Sequence, residues 1–401
     1  MPEVGSFSIA PLDIPADSSL AKELPRLKRH LKSESARLQE WHREGADGRK
    51  VCAARSAVID TLLATLFDWT LDTFEPKKSE RKLTMSLVAI GGYGRSELNP
   101  HSDIDFMLLH SGTTPSVTRI FNHELIEKLT GPGGLIYTLY DLGMKVGYSV
   151  RNIQDAVNVA NDDMQTKTSL IESRLISGDA GLFEQFLKRV EVKCGRSQID
   201  DYLQMRIADQ DARRVKFGNS ALLQAPNIKN GCGGLRDYQN LLWMTHFKYC
   251  TRTLAELEAQ EMIRPNNRAQ LEEGYGFLLR VRNELHYQTK RPSDDLHKAL
   301  QPKVAWQLGY KDRSPARRLE AFMRDLYMHM RRIHLITRMV ERRLALRPKP
   351  SRRIPLLRSL FGGGEKQETL DGFQVIEGEL VPVSSRIFKD QPRRQMRVFL
   401  H

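Results

Sequence analysis

The feature that most constrains this chain is the run Gly91 to Phe106, GGYGRSELNPHSDIDF. Leu87 to Ile90 before it is a short apolar stretch that reads as a buried strand entering a turn at Gly91-Gly92, and Asp103 to Leu109 reads as a second strand. A strand turns successive side chains to opposite faces. Asp103 and Asp105 therefore share one face, while Ile104 and Phe106 point the other way, toward a core. Two carboxylates at a strand end are hard oxygen ligands, suited to magnesium held jointly with substrate phosphates. Gly91 and Gly92 let the backbone approach a phosphate closely and offer it N–H groups, and Arg95, Ser96 and Ser102 add donors nearby. An Asp-x-Asp or a Gly-Gly alone is common. Together, at this spacing and each on its proper element, they form a strong signal.

The remaining pattern is mostly helical. Ser19 to Glu44 carries Leu27, Leu31, Leu38 and Trp41 broadly on one side, and Arg49 to Thr70 keeps Val58, Leu62, Leu63, Leu66 and Trp69 at three-to-four spacing. A helix is expected from Thr118 to Leu129, broken at Gly131 to Gly134, and Leu135 to Val150 alternates as one or two further strands. After Asp155 the strands stop, and helical patterns run to about Leu346, interrupted at Gly178, at Pro226 to Gly234, and at Pro292 and Pro302. Pro348, Pro350, Pro355 and Gly362 to Gly364 read as a linker, and Gly372 to Val383 as a small hairpin. The predicted fold class is α+β: a small mixed-sheet domain followed by a helical bundle. The expected divisions are a loose tail (1–18), N-terminal helices (19–75), the α/β domain (76–155), the helical domain (156–347), and a linker with hairpin (348–401) leading toward a further C-terminal region.

The Gly-Gly…Asp-x-Asp arrangement resembles the nucleotidyltransferase fold of the DNA polymerase β superfamily. The fuller run is similar to the bacterial protein-PII uridylyltransferases, whose usual form is GGYGRGEL-x-P-x-SDIDL. The likeness extends through DLGMKVGYSVR (Asp141 to Arg151), NIKNGCGGLRDYQNLLW (Asn227 to Trp243), FLLRVRNELH (Phe277 to His286) and the arginine-rich segment Phe322 to Arg343. The resemblance implies that Asp103 and Asp105 ligate magnesium, with Asp141, by position, as the third carboxylate of a two-metal site. It also implies UTP as donor, a tyrosine of a PII-type signalling protein as acceptor, and no nucleophile of the chain's own. Lys229 and Arg236 offer charge to the nucleotide. The glycines around them either meet a phosphate or pack under the site, and the sequence leaves both open.

Three positions depart from the family pattern: Ser96 stands for a glycine, Tyr148 for a histidine and Cys232 for a proline. A serine at 96 still serves as a donor unless the backbone there needs a positive φ. None of the eleven histidines is followed by aspartate, so the metal-binding His-Asp pair of a uridylyl-removing HD domain is not expected in this chain. The expectation is transfer without removal, either in a fragment or in a stand-alone transferase.

Composition bounds the alternatives. The four cysteines, at 52, 194, 232 and 250, form no Cys-x-x-Cys and no zinc rhythm with histidine. No stretch is long and apolar enough for a membrane span, and no leader pattern opens the chain, so a cytoplasmic protein with free thiols is expected. Net charge is +13, and Lys311 to Arg358 holds 15 Lys/Arg against 4 Asp/Glu. That basic segment either faces an acidic partner or nucleic acid or is a solvated helix face. The competing readings are adenylyl or other nucleotidyl transfer to a different protein, an RNA-directed transferase or RNA-binding protein, and an inactive scaffold. Few aromatics interleave the basic segment, which disfavours nucleic acid, and the intact aspartate pair disfavours the scaffold. His101 reads as a loop hydrogen-bonding residue. His329 and His334, five apart on a helix, do not share a face.

Overall fold

A computed structural model describes residues 7–75, 83–112, 124–194 and 199–346, together with short strands at 369–370, 373–376 and 379–382. The sequence-predicted features at 76–82, 113–123 (the start of the Thr118 helix) and 347–368 (the proline and triple-glycine linker) lie outside the described residues. The chain divides into a unit from Met1 to Arg338 and a second from Met339 to His401.

The first unit opens with α1 (Leu20–Arg43) and α2 (Gly48–Asp72). Asp47 caps α2, accepting hydrogen bonds from the backbone N–H groups of Arg49 and Lys50. The sheet follows the order β3-β2-β1-β4, with β1 Met85–Ala89, β2 Ile104–His110, β3 Val146–Arg151 and β4 Arg174–Gly178. β1 runs antiparallel to β2 and β4, whereas β2 and β3 are parallel. Both faces of the central strands are covered. Leu87, Ala89, Phe106 and Leu108 pack into one core with α2, α4 (Glu124–Thr130) and α5 (Leu135–Asp141). Val88, Met107 and Leu109 pack into a second core with α6 (Ile153–Asp162), α7 (Met164–Ile171) and α8 (Ala180–Lys193). This alternation is the period-2 signature of a strand buried on both sides.

Two sequence expectations need correction. Leu135–Asp141 is a helix, because Leu135, Ile136, Thr138 and Leu139 form one buried face behind the Gly134 cap; only Val146–Arg151 is a strand. Strands also do not stop at Asp155. Arg174–Gly178 adds β4 at the sheet edge, where its side chains are only half-buried and carry no clean alternation.

The helical layer comprises α9 (Ile199–Phe217), α10 (Leu235–Tyr249), α11 (Leu254–Ala259), α12 (Pro265–Thr289), α13 (Gln301–Gln307) and α14 (Pro315–Leu346). α12 crosses α2 so closely that a Cβ on Gly48 would lie 2.3 Å from the Gly276 carbonyl oxygen. In α14, Phe322, Leu326, Met330 and Ile333 are buried while Arg317, Arg324 and Arg331 recur every seventh residue on the exposed side. These arginines lie on an exposed helix face; the portion of the basic segment from Arg347 lies outside the described residues. In the second unit, β5 (Thr369–Leu370), β6 (Phe373–Ile376) and β7 (Glu379–Pro382) form an antiparallel three-stranded sheet, one strand more than the expected hairpin. Among the described residues no helix is long and apolar enough to cross a membrane.

Candidate active site

β1 ends at Ala89, and the chain turns immediately into a single helical turn, α3 (Gly91–Gly94). Gly91 takes φ +58°, a left-handed conformation that a glycine adopts without steric cost. Gly94 is fixed by space: a Cβ there would lie 2.0 Å from the Glu172 carbonyl oxygen. The first N–H of the turn to reach a helical carbonyl is that of Gly94, bonded to Ile90 at 3.1 Å. The N–H groups of the first residues of a helical turn have no partner within it. The Ile90 N–H donates to the Asp105 carbonyl at 3.0 Å, which fastens the glycine turn to the aspartate strand.

Asp105 lies on the same face of β2 as Met107 and Leu109, at the end of the strand where the core gives way to a cavity of about 770 Å³. Asp103 and Asp105 both line this cavity. Burial and then the neighbouring Asp103 charge push the Asp105 carboxyl above its usual range, against the pull of Lys229. Asp105 pairs in register with Gly147, where a Cβ would lie 2.4 Å from Asp105 Oδ1. Ile104 and Phe106 are buried on the opposite face, as the alternation predicts.

The opposite wall comes from the helical layer. The loop Asn227 to Gly234 folds on itself through bonds from Leu235 N–H to the Ile228 carbonyl and from Arg236 N–H to the Lys229 carbonyl. Its glycines serve packing: a Cβ on Gly233 would meet the Met330 carbonyl oxygen at 1.9 Å. Its side chains serve the cavity, which Lys229 and Arg236 both line. Burial, with Arg282 adding repulsion, pushes the Lys229 ammonium down to about 8; burial and the Arg95 charge bring Arg236 to about 10. Among the described residues neither makes an ion pair, and Nη1 and Nη2 of Arg213, also on the cavity wall, are buried without hydrogen bonds.

Arg95 is spoken for. It bonds Glu97 at 2.7 Å and Glu172 at 2.6 Å, and Glu97 accepts from the Tyr275 hydroxyl at 2.8 Å. Tyr275 in turn accepts from Gln239, and Arg236 donates to Gln239 at 2.9 Å. This buried relay ties the glycine turn to α10 and α12. A second set holds the loop before Asp103: Arg282 donates to Asn99, Asn99 donates to Asn283, and Arg282 pairs with Asp294 at 2.7 Å.

Of the sequence-predicted site residues, Gly91, Gly92, Arg95, Ser102, Asp103, Asp105, Lys229 and Arg236 converge on this cavity. Two do not. Ser96 is absent from the cavity wall and sits at φ +60°, so the family glycine position does use a positive φ and the serine bears strain there. Asp141 ends helix α5, exposed to solvent, and is not brought to the cavity. The carboxylates that do arrive include Asp163, Glu172, Asp209 and Asp294, none of which the sequence pattern singled out. Glu172 stands two residues before β4, the strand that the sequence pattern did not reveal. Tyr148, beside Gly147, is an exposed residue that also lines the cavity, and its ring stacks on Phe106 at 6.4 Å between centroids.

Cys232 is buried, with Sγ 3.1 Å from His334 Nδ1. His334 faces Asp237 at 4.0 Å, and Arg213 and Arg214 flank the same carboxylate at 3.8 and 3.5 Å. The fold thus brings the His334 imidazole, some hundred residues on, to a thiol and a carboxylate that lie five residues apart, with Asp237 already engaged by two guanidinium groups.

A mixed sheet that sets an Asp-x-Asp pair beside a Gly-Gly turn, closed by a helical wall bearing lysine and arginine, has the architecture of a nucleotidyltransferase domain. Residues 201–341 match the family model for GlnD PII-uridylyltransferase. The chain is similar to a bifunctional uridylyltransferase/uridylyl-removing enzyme of Azospirillum brasilense, 30% identical over 88% of this chain. Proteins of the same description from Rhodospirillum rubrum and Caulobacter vibrioides are each 29% identical, over 89% and 88% of this chain. The chain spans 36–37% of the length of these relatives. The match to the family model assigns residues 201–341 to a GlnD uridylyltransferase domain.

Proposed function

We propose that this chain transfers UMP from UTP to a tyrosine hydroxyl of a PII-type signalling protein. The observation that carries the reading is the meeting of Asp103 and Asp105, on one strand face, with the Gly91-Gly92 turn and the cations Lys229 and Arg236 in one cavity. Burial and mutual repulsion raise Asp105 in the absence of a cation, and a divalent ion would relieve that cost, so the donor set fits magnesium. Asp103 and Asp105 would hold it, and when bound it supplies charge neutralisation at the attacking and leaving oxygens. Backbone N–H groups of the Gly91 turn take the triphosphate, Lys229 and Arg236 oppose its charge, and the Tyr148 ring offers an apolar face to the nucleobase. As the tyrosine hydroxyl gives its proton up to solvent, its oxygen forms a bond to the α-phosphorus in line with the breaking bond from that phosphorus to the α–β bridging oxygen, and pyrophosphate leaves.

The test incubates the chain with magnesium, each labelled nucleoside triphosphate in turn, and the PII protein of the same cell. UTP-dependent labelling that disappears in Asp103→Asn is the expected result, a loss of at least ~10²-fold. Labelling by ATP alone rejects the uridylyl assignment and favours adenylyl transfer. Labelling of RNA in place of the protein rejects the protein acceptor.

A further inference from the structure

Beside the catalytic cavity lies a second cavity of about 430 Å³ with a different character. Its rim carries Lys28 and Lys32 from α1, Arg55 from α2, Lys145 ahead of β3, and Lys290 and Arg291 beyond α12. Among the described residues no aspartate or glutamate lines it. Among the described residues none of these six cations makes an ion pair, and all but Arg55 are exposed. Lys28 and Lys32 stand one turn apart and so present their ammonium groups side by side. Arg55 is braced by donating to the Pro100 carbonyl at 2.5 Å. Beneath the cations the floor is apolar, built from Leu31, Val58, Ile59, Ile104 and Met144.

Six like charges gathered around one small cavity repel one another, and an anion relieves that repulsion. We propose that this cavity binds a nucleoside polyphosphate, its phosphates among the lysines and its nucleoside on the apolar floor. The volume suits one compact organic molecule, within the usual size range of small-molecule sites. A cationic rim over an apolar floor matches a ligand with one highly charged end and one flat, weakly polar end. The site is separate from the catalytic cavity yet shares a wall with it: Leu98, Ser102 and Pro292 line both. The shared segment Leu98 to Ser102 leads directly into Asp103. It is pinned by Arg55 at Pro100 and by the His101 N–H, which donates to His286 Nδ1 at 3.2 Å.

The experiment is isothermal titration of ADP, in EDTA, into the full chain and into two variants. Lys32→Glu/Lys145→Glu reverses two exposed rim charges, and Lys229→Ala removes a cation of the catalytic cavity. ADP affinity is expected to fall at least tenfold in the double variant, whose thermal melt stays that of the wild type, and to hold in Lys229→Ala. Loss in Lys229→Ala with retention in the double variant would place ADP in the catalytic cavity and overturn the proposal. So would pyrophosphate binding as tightly as ADP, which leaves the apolar floor unused. Failure of ADP to bind, alongside binding of a decaglutamate peptide that the double variant loses, would assign the rim to an acidic polypeptide instead.

Discussion

Gly147 lies directly beneath Asp105: the two are register partners across parallel strands, and a methyl group on the glycine would come within 2.4 Å of the aspartate Oδ1. The absence of a side chain at 147 is therefore what leaves the Asp105 carboxylate its place in the cavity. Gly147→Ala is expected to lower transfer activity by about 10²-fold, because displacing a reacting-site group by about 1 Å costs that much. The clash is with the movable end of a side chain, so the thermal midpoint should shift little. Unchanged turnover in Gly147→Ala would show that Asp105 has another position of equal use.

Ser96 pays the strain of a left-handed backbone with a Cβ attached. Ser96→Gly is expected to stabilise the fold by about 0.5–1 kcal/mol, the steric relief exceeding the entropy cost of glycine. Because residue 96 is off the cavity wall, the KM for nucleotide should be unaffected. A lower unfolding midpoint in this variant would mean that the serine side chain contributes more than its backbone costs.

Lys229 titrates at about 8, pushed down by burial among other cations. It carries charge below that value and loses it above, so its attraction for triphosphate weakens as pH rises through 8. The KM for the nucleotide should therefore climb between about pH 7.5 and 9. Lys229→Arg, with a guanidinium that stays charged across this range, should flatten the rise. A KM that climbs equally in the variant would move the titration to another group.

His334 runs the other way. Hydrogen bonding to Asp237 and then to Cys232 raises its pKa from 6.5 to about 9. A folded-state pKa above the unfolded one means stabilisation that is complete below pH 6.5 and lost as pH climbs through 9. The unfolding free energy should decline across that window, and His334→Gln should be less stable at pH 6 but show a shallower decline. Denaturant melts at pH 6, 7.5 and 9 measure this, and parallel pH profiles for both proteins would exclude His334 as the source.

The local sequence determined the strand, the glycine turn and the second strand with its aspartate pair, since each rests on a short-range rule. Alternation sends Ile104 and Phe106 inward and Asp105 to the other face, and glycine alone enters φ +58° freely at 91. The same kind of rule placed α1, α2 and the start of α10 at Leu235. Where the rule is weak, the reading failed. Leu135–Asp141 mixes periods of two and of three to four, and only packing of its buried face onto the core makes it a helix, which carries Asp141 away from the cavity. β4 exists because Arg174–Gly178 finds the free edge of β1, a partner some 90 residues earlier that no local pattern announces. Tertiary structure alone brings Glu172 to Arg95, Lys229 toward Asp105, and six cations around one apolar floor. Periodicity reports which way a side chain points within its own element. What it meets there depends on how elements distant in sequence pack, and that is settled only when the whole core is buried together.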